Sequence, residues 1–168
     1  MISRNVRLVM LVLSCVAVGV VGAACGSSND TSSGARSNPT GPVTVTARSG
    51  AVGMYLTDEQ GRSVYLFEAD TAGTSTCTGA CAAEWPPLLT TGTPQAGSGV
   101  TADLLSTVAR ADGTKQVAYN KHPLYLFGAD KTAGDTNGQG VNAFGALWWL
   151  VTPAGSAITT TSSPRGGY

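Results

Sequence analysis

The hydrophobic pattern of the chain is dominated by a six-residue run that occurs twice. Tyr65-Leu66-Phe67-Glu68-Ala69-Asp70 returns as Tyr125-Leu126-Phe127-Gly128-Ala129-Asp130, with five of the six residues identical. In an extended strand the two aromatic residues of each copy project to one face and the leucine to the other. Both faces are then apolar, which predicts a central strand covered on both sides. The repetition itself predicts an internal duplication.

Short alternating or apolar runs elsewhere predict further strands, separated by turn signals rich in Gly, Asp, Asn and Pro. The strand before each hexapeptide is expected to form a hairpin with it. A short helix is expected after Cys77, ended by Pro86-Pro87, because a residue before proline avoids the helical region. One further helical turn is expected at 103–105. The predicted strands are 43–47, 54–57, 62–67, 116–119, 123–127 and 144–151.

Together these elements predict a mainly β fold. We expect one small domain, residues 43–158, built from two duplicated hairpin-containing repeats at about 53–88 and 115–151, with one short helix near Cys77 and Cys81. In this arrangement the aromatic side chains of both copies form a shared interior. Residues 159–168 are expected to form a C-terminal tail.

The N-terminus has the three-part pattern of an export signal. Two arginines precede an apolar run at 8–21, and small residues follow it just before Cys25. Residues 1–24 are therefore predicted to be a signal peptide, and Cys25 the lipidated first residue of the mature chain. Cys15 is a rival lipidation site with better-fitting neighbours, but its use would leave a much shorter apolar run.

Residues 25–42 are expected to form the lipidated cysteine and a flexible linker. The linker has almost no aliphatic side chains, so it cannot offset the entropy of ordering. Its root-mean-square reach is roughly 23 Å. Removing Arg4 and Arg7 with the leader reduces the ten basic side chains to eight, against ten acidic ones. This sparse, slightly acidic charge argues against a nucleic-acid partner.

Cys77 and Cys81 are four positions apart, so on a helix or turn they share a face. Because exported domains retain disulfides, we expect a bond between them. The alternatives are a redox-active dithiol and a copper site, with His122 or Met54 as a further ligand. The leading interpretation requires no cofactor and no metal; the alternative requires copper.

Asp70 and Asp130 follow the predicted strands, where a carboxylate accepts hydrogen bonds from turn amides. The expected role of both acids is to close these bends; the alternative is a metal or ligand pair. Oxygens of Asp130, Asp135 and Asn137 also offer a weak calcium pattern that lacks the distal bidentate acid. The one histidine excludes a catalytic triad and a histidine-rich zinc site.

The motifs in combination resemble a bacterial family of predicted lipoproteins with a Tyr-x-(Phe/Trp/Tyr)-x-x-Asp motif, also called the secreted repeat of unknown function. The matching residues are Tyr65, Phe67 and Asp70, then Tyr125, Phe127 and Asp130, with Cys-Thr-Gly-Ala-Cys at 77–81, Trp-Pro-Pro at 85–87 and Gly-Asp-Thr-Asn-Gly-Gln-Gly at 134–140. The resemblance spans about 53–153. It implies an exported, usually lipid-anchored protein with two repeats and no defined activity.

We therefore expect a lipoprotein on the extracytoplasmic face of the bacterial cell membrane, without enzymatic turnover. Its expected role is that of a binding or structural module. Its expected partners are the membrane, through the lipid anchor, and an envelope protein or small ligand. The alternative function is a copper-binding or electron-transfer accessory that uses Cys77 and Cys81. An enzyme is not expected, because no nucleophile and base can be paired.

Overall fold

The computed structural model describes residues 41–71 and 73–159. The predicted signal peptide, Cys15, Cys25, almost all of the linker and the tail from residue 160 lie outside the described residues. Within the described ranges, none of the helices has the length and apolar character needed to cross a membrane.

The described part of the chain is mainly β, as predicted. A 3₁₀ turn at Ala102–Leu104 precedes the fifth strand. The other elements, in chain order, are β1 (Thr44–Gly50), β2 (Gly53–Asp58), β3 (Tyr65–Phe67), α1 (Ala80–Glu84), β4 (Gln95–Ala96), β5 (Leu105–Ala109), β6 (Lys115–Tyr119), β7 (His122–Pro123), β8 (Asn142–Ala143) and β9 (Ala146–Leu150).

The strands form three small sheets, in the orders β2-β1-β4, β3-β9-β8 and β5-β6-β7. The β1–β2 pair and the β5–β6 pair are both antiparallel hairpins that precede a hexapeptide, so each belongs to one repeat. The repeats therefore begin one strand earlier than the sequence indicated. β5 was not predicted, although Leu-Ser-Thr-Val-Ala has the β-branched and alternating character of a strand.

The two repeats join where their tyrosines meet. The amide of Tyr65 donates to the carbonyl of Tyr125 at 2.8 Å, and the amide of Tyr125 donates back to Tyr65 at 2.9 Å. On its other side β3 pairs with β9. All three β3 residues are buried, which confirms that this strand is central and covered on both faces.

Two clusters of buried side chains make up the interior. The first is mainly aliphatic and includes Val45, Leu56, Leu66, Val117, Leu124 and Val151. The second is mainly aromatic and includes Tyr55, Tyr65, Phe67, Trp85, Tyr125 and Trp148, with both cysteines. The expectation of a shared aromatic interior is therefore met, because each hexapeptide contributes to this second cluster.

Several predicted element bounds are wrong, each for a local reason. The strand predicted at 123–127 shortens to β7, because Leu124 and Tyr125 make hydrogen bonds to three different segments instead of one ladder. His122 is expected from the sequence to be an exposed residue of a hairpin turn, but it belongs to β7 and is half-buried. Phe144 lies in the turn between β8 and β9, so the last strand begins at Ala146.

Candidate functional site

The two copies of the motif exchange their polar partners. The Tyr65 hydroxyl donates to Asp130 Oδ2 at 2.7 Å, and the Tyr125 hydroxyl donates to Asp70 Oδ2 at 2.6 Å. Each tyrosine therefore bonds to the aspartate of the other repeat. This geometry follows from the backbone bridge between the tyrosines, which places the two hexapeptides antiparallel to each other.

The second oxygen of each aspartate closes the loop that follows its own strand. Asp70 Oδ1 accepts from the amide and hydroxyl of Thr76, at 2.7 and 2.6 Å. Asp130 Oδ1 accepts from the amide and side-chain nitrogen of Asn137, at 3.0 and 3.1 Å. The expected bend-closing hydrogen bonds are thus present, and the cross-repeat bond to tyrosine is an addition that the sequence did not indicate.

Each tyrosine hydroxyl also contacts the other repeat's loop a second time. Ser75 Oγ lies 2.7 Å from the Tyr125 hydroxyl, and the Gly138 amide donates to the Tyr65 hydroxyl at 3.3 Å. Burial, followed by the hydrogen bond to Asp70, raises the pKa of Tyr125 to about 12. Burial and Asp130 raise the pKa of Tyr65 further. Both tyrosines therefore remain neutral donors at ordinary pH.

Four aromatic rings form a continuous stack beneath the tyrosines. In order they are Phe67, Trp148, Trp85 and Phe127, with successive centroids 4.1, 4.0 and 4.1 Å apart. The repeats alternate along this column. Tyr65 meets Trp85 edge-on at 5.5 Å and Tyr125 meets Trp148 edge-on at 5.2 Å. The two repeats thus contribute equivalent rings to the column, just as they contribute equivalent tyrosines and aspartates to the hydrogen-bonded pairs.

Gly138 fits between two rings of this cluster. A Cβ at this position would lie 2.8 Å from Tyr65 Cζ and 2.9 Å from the Trp85 ring. Its φ is not in the left-handed region, so close packing and not backbone conformation requires glycine here. In the sequence this residue stands out only as part of the Gly-Asp-Thr-Asn-Gly-Gln-Gly segment at 134–140.

A buried arginine, which the sequence analysis missed, extends the Tyr125 site. Arg110 donates to Ser75 Oγ at 2.6 Å, to Gln116 Oε1 at 2.8 Å and to the Cys77 carbonyl at 2.9 Å. It lies just beyond β5, the strand that was not predicted. A network of hydrogen bonds therefore runs from Asp70 through Tyr125 and Ser75 to a buried cation.

Cys77 and Cys81 form a disulfide, as predicted. Both are buried, and the bond links the loop after Asp70 to helix α1. Two sulfurs joined in this way are not thiolates and do not offer copper its soft ligands. In the described part of the chain, no three His, Cys, Asp or Glu side chains are grouped in a way that could hold a metal ion. Of the other two alternative ligands, His122 is in β7 and Met54 is in β2.

The oxygens of the weak calcium pattern are engaged by the loop itself. Asp135 accepts from the amides of Lys131 and Thr132 at 2.8 and 2.9 Å, and from the Thr132 hydroxyl at 2.8 Å. The hydrogen bonds from Thr132 lower the pKa of Asp135. Asp130 and Asn137 bond to each other. These residues therefore act together as a loop closure in this structure.

Chemically, the arrangement is a set of neutral tyrosine donors and carboxylate acceptors that satisfy each other. Both tyrosines are fully buried, and the acids are half-buried at the rim. Such an arrangement fixes two loops and two repeats relative to one another. It is best described as the connection between the repeats.

Comparison with known proteins gives one family. Its model, described as a secreted repeat of unknown function, matches residues 44–89 and 106–152, each match beginning at or next to the first strand of a repeat. No curated protein and no solved structure matches the chain. The description is consistent with an extracytoplasmic module. Because the two matches together cover more than half of the sequence, the chain belongs to this family of secreted repeats, Lipoprotein_15.

Proposed function

We propose that the protein is a lipid-anchored, non-catalytic module on the extracytoplasmic face of the bacterial cell membrane, where it binds or supports another envelope component. The observation that carries the non-catalytic part is the use of the motif residues. Both tyrosine hydroxyls and both aspartates form hydrogen bonds with other groups of the domain. A group already satisfied in this way holds structure together and is poorly placed to act on a substrate.

The anchoring part rests on the N-terminal sequence. A charged start, an apolar run and small residues before Cys25 are the features of an export signal with a lipidation site. The polar segment after Cys25 would then connect the acylated residue to the domain that begins near residue 43. An acyl chain binds the membrane by burying its methylene groups.

The anchor is tested by replacing the cysteine in the full-length protein expressed in its bacterial host. Cys25→Ser is expected to abolish incorporation of labelled palmitate and to release the protein from the membrane fraction. Cys15→Ser is the matched control and should change neither result. Continued labelling of the Cys25 variant, with loss in the Cys15 variant, would transfer the anchor to Cys15. Loss in neither variant would refute lipidation at both.

The non-catalytic role is tested against the copper alternative on protein isolated from its native membrane. Thiol titration is expected to detect Cys77 and Cys81 only after a reductant is added, with no stoichiometric metal. Free thiols together with tightly bound Cu(I) would overturn this proposal and favour the copper-binding function instead.

A further inference from the structure

The turn between β8 and β9 carries an exposed aromatic residue in an unfavourable backbone conformation. Phe144 has φ 55° and the next residue, Gly145, has φ 93°. Two successive positive φ values are typical of a two-residue type I′ hairpin turn. The Phe144 side chain is 46% exposed. Met54 and Phe144 are the large apolar side chains that stand most exposed within residues 41–71 and 73–159.

Phenylalanine is a poor choice for this position by the rules of folding alone. The first residue of a type I′ turn is usually Asn, Asp or Gly, and a bulky residue with positive φ is an outlier. The turn between β6 and β7 is of the same type and has Asn120 and Lys121 at these two positions, with φ 47° and 67°. We call it the matching turn. Phe144 therefore carries backbone strain without the compensation of full burial. Strain of this kind supports a hypothesis of function at the strained residue.

The segment that contains Phe144 carries no charge and is held by the sheet. From Thr136 to Pro164 the sequence contains no charged residue. Ala143 and Ala146, on either side of the turn, pack against the aromatic cluster, and β9 is paired with the central strand β3. Glu68, which directly follows β3, has a carboxylate that accepts from Trp149 Nε1 at 2.7 Å. The turn thus presents one aromatic ring at the end of a strand that is paired on both sides, within an uncharged segment of the sequence.

We propose that this turn contacts the lipid bilayer, with the Phe144 ring placed at the boundary between headgroups and acyl chains. The inference rests on the proposed lipid anchor, which would tie the domain to the same surface. The linker expected at residues 25–42, with a reach of roughly 23 Å, would keep the domain at an effective concentration on the order of millimolar near the membrane, so that a weak contact would be populated. A two-residue turn that presents an exposed aromatic ring within an uncharged segment suits the membrane interface, where amphipathic and aromatic surfaces are favoured.

The test uses the full-length lipidated protein in vesicles of phosphatidylcholine and phosphatidylglycerol. In the Phe144→Cys variant the new cysteine is the free thiol, because the anchor carries the lipid on Cys25 and Cys77–Cys81 is a disulfide. It is labelled with a nitrobenzoxadiazole probe. Lys121→Cys, at the exposed position of the matching turn, is the control. Unchanged melting temperatures show that both labelled variants are folded.

The probe at position 144 is expected to emit at shorter wavelength on vesicles and to be quenched by spin-labelled lipid, whereas the probe at 121 stays in water. Equal behaviour of the two probes, or quenching at 121 alone, overturns the proposal; a water-exposed probe at 144 would direct attention to a protein partner for this ring. Co-sedimentation with vesicles is measured on the same samples. Failure to sediment refutes the anchor, while sedimentation without a signal at 144 refutes only the bilayer contact.

A second measurement does not depend on labelling. Phe144→Asn places a favoured residue in the same turn and should fold normally. Hydrogen exchange at residues 143–146 of the anchored wild-type chain is expected to be slower on vesicles than for the Cys25→Ser chain in solution. The Asn variant should lose that protection. Equal exchange in all three samples overturns the proposal.

Discussion

At the scale of single residues, each aspartate of the motif has two structural roles. Asp130 closes the loop that ends at Asn137 and accepts the hydroxyl of Tyr65 from the other repeat. The first duty could be predicted from the sequence, because an aspartate after a strand commonly accepts turn amides. The second could not, since it depends on the antiparallel meeting of two segments far apart in the chain.

Asp130→Asn is therefore expected to lower the free energy of unfolding by about 1–3 kcal/mol, the usual cost of disturbing a hydrogen bond between a buried group and a charged one. Asp103→Asn, at an exposed acid, is the control and should change it by less than about 0.5 kcal/mol. Urea denaturation measures both. In a double-mutant cycle with Tyr65→Phe, the pair should show a coupling energy of about 0.5–3 kcal/mol. Unchanged stability with selective loss of a bound ligand or metal would contradict the structural role.

Alkaline pH should weaken the fold through Tyr125. Its pKa is about 12 in the folded protein and about 10 in an unfolded chain. The stabilising contribution is fully present below pH 10 and is lost as the pH rises toward 12, because the unfolded state releases its proton first. Denaturant midpoints measured from pH 9 to 12 should fall, and more gently in Tyr125→Phe than in the wild-type protein. Parallel curves for the two proteins would show that Tyr125 is not responsible.

At the scale of elements, the sequence predicted what depends on local composition. The hexapeptide strand is buried on both faces, and the short helix contains Cys81. The prediction failed where tertiary contacts override local pattern. The strand predicted at 123–127 ends at Pro123, because the residues after it make hydrogen bonds to three segments. The strand predicted at 144–151 begins later, because Phe144 lies in a turn of a type that favours asparagine. Arg110 gave no sequence signal, because its partners come from distant segments.

Gly138, in the loop after Asp130, is expected not to tolerate a larger side chain. Gly138→Ala would force its Cβ against Tyr65 and Trp85, and overpacking of this kind typically costs about 1–3 kcal/mol. Gly41→Ala is the control, since nothing lies within 4 Å of a Cβ there. Thermal unfolding of the two variants makes the comparison. Equal melting temperatures would mean that the rings move aside at little cost.

At the scale of the whole molecule, the two repeats share one interior. Each tyrosine depends on the other repeat for its acid, and the stacked rings alternate between repeats. The duplication was predictable from the repeated hexapeptide. The interlocking was not, because sequence identity between copies does not reveal whether they stand side by side or share one interior.

Separated repeats should therefore fail to fold. Fragments 41–98 and 99–159 are each expected to give the circular dichroism and narrow amide dispersion of an unfolded chain. Mixed in equal amounts, they should regain the spectrum of the intact domain, because every inter-repeat contact can form between two chains. A fragment that folds cooperatively alone would contradict the shared interior.

The exchange of partners across the tyrosine bridge has a consequence for concentrated protein. Nothing in the bonds between Tyr65 and Asp130, or between Tyr125 and Asp70, requires both halves to come from the same polypeptide. Two partly unfolded molecules can refold as a domain-swapped dimer, in which each chain exchanges one repeat with the other. The dimer keeps every one of these hydrogen bonds. Residues 90–104 connect the first repeat to the second, and their length decides which product forms. A connection long enough for the second repeat to pack on the first repeat of the same chain favours the monomer, whereas a shortened one favours the domain-swapped dimer.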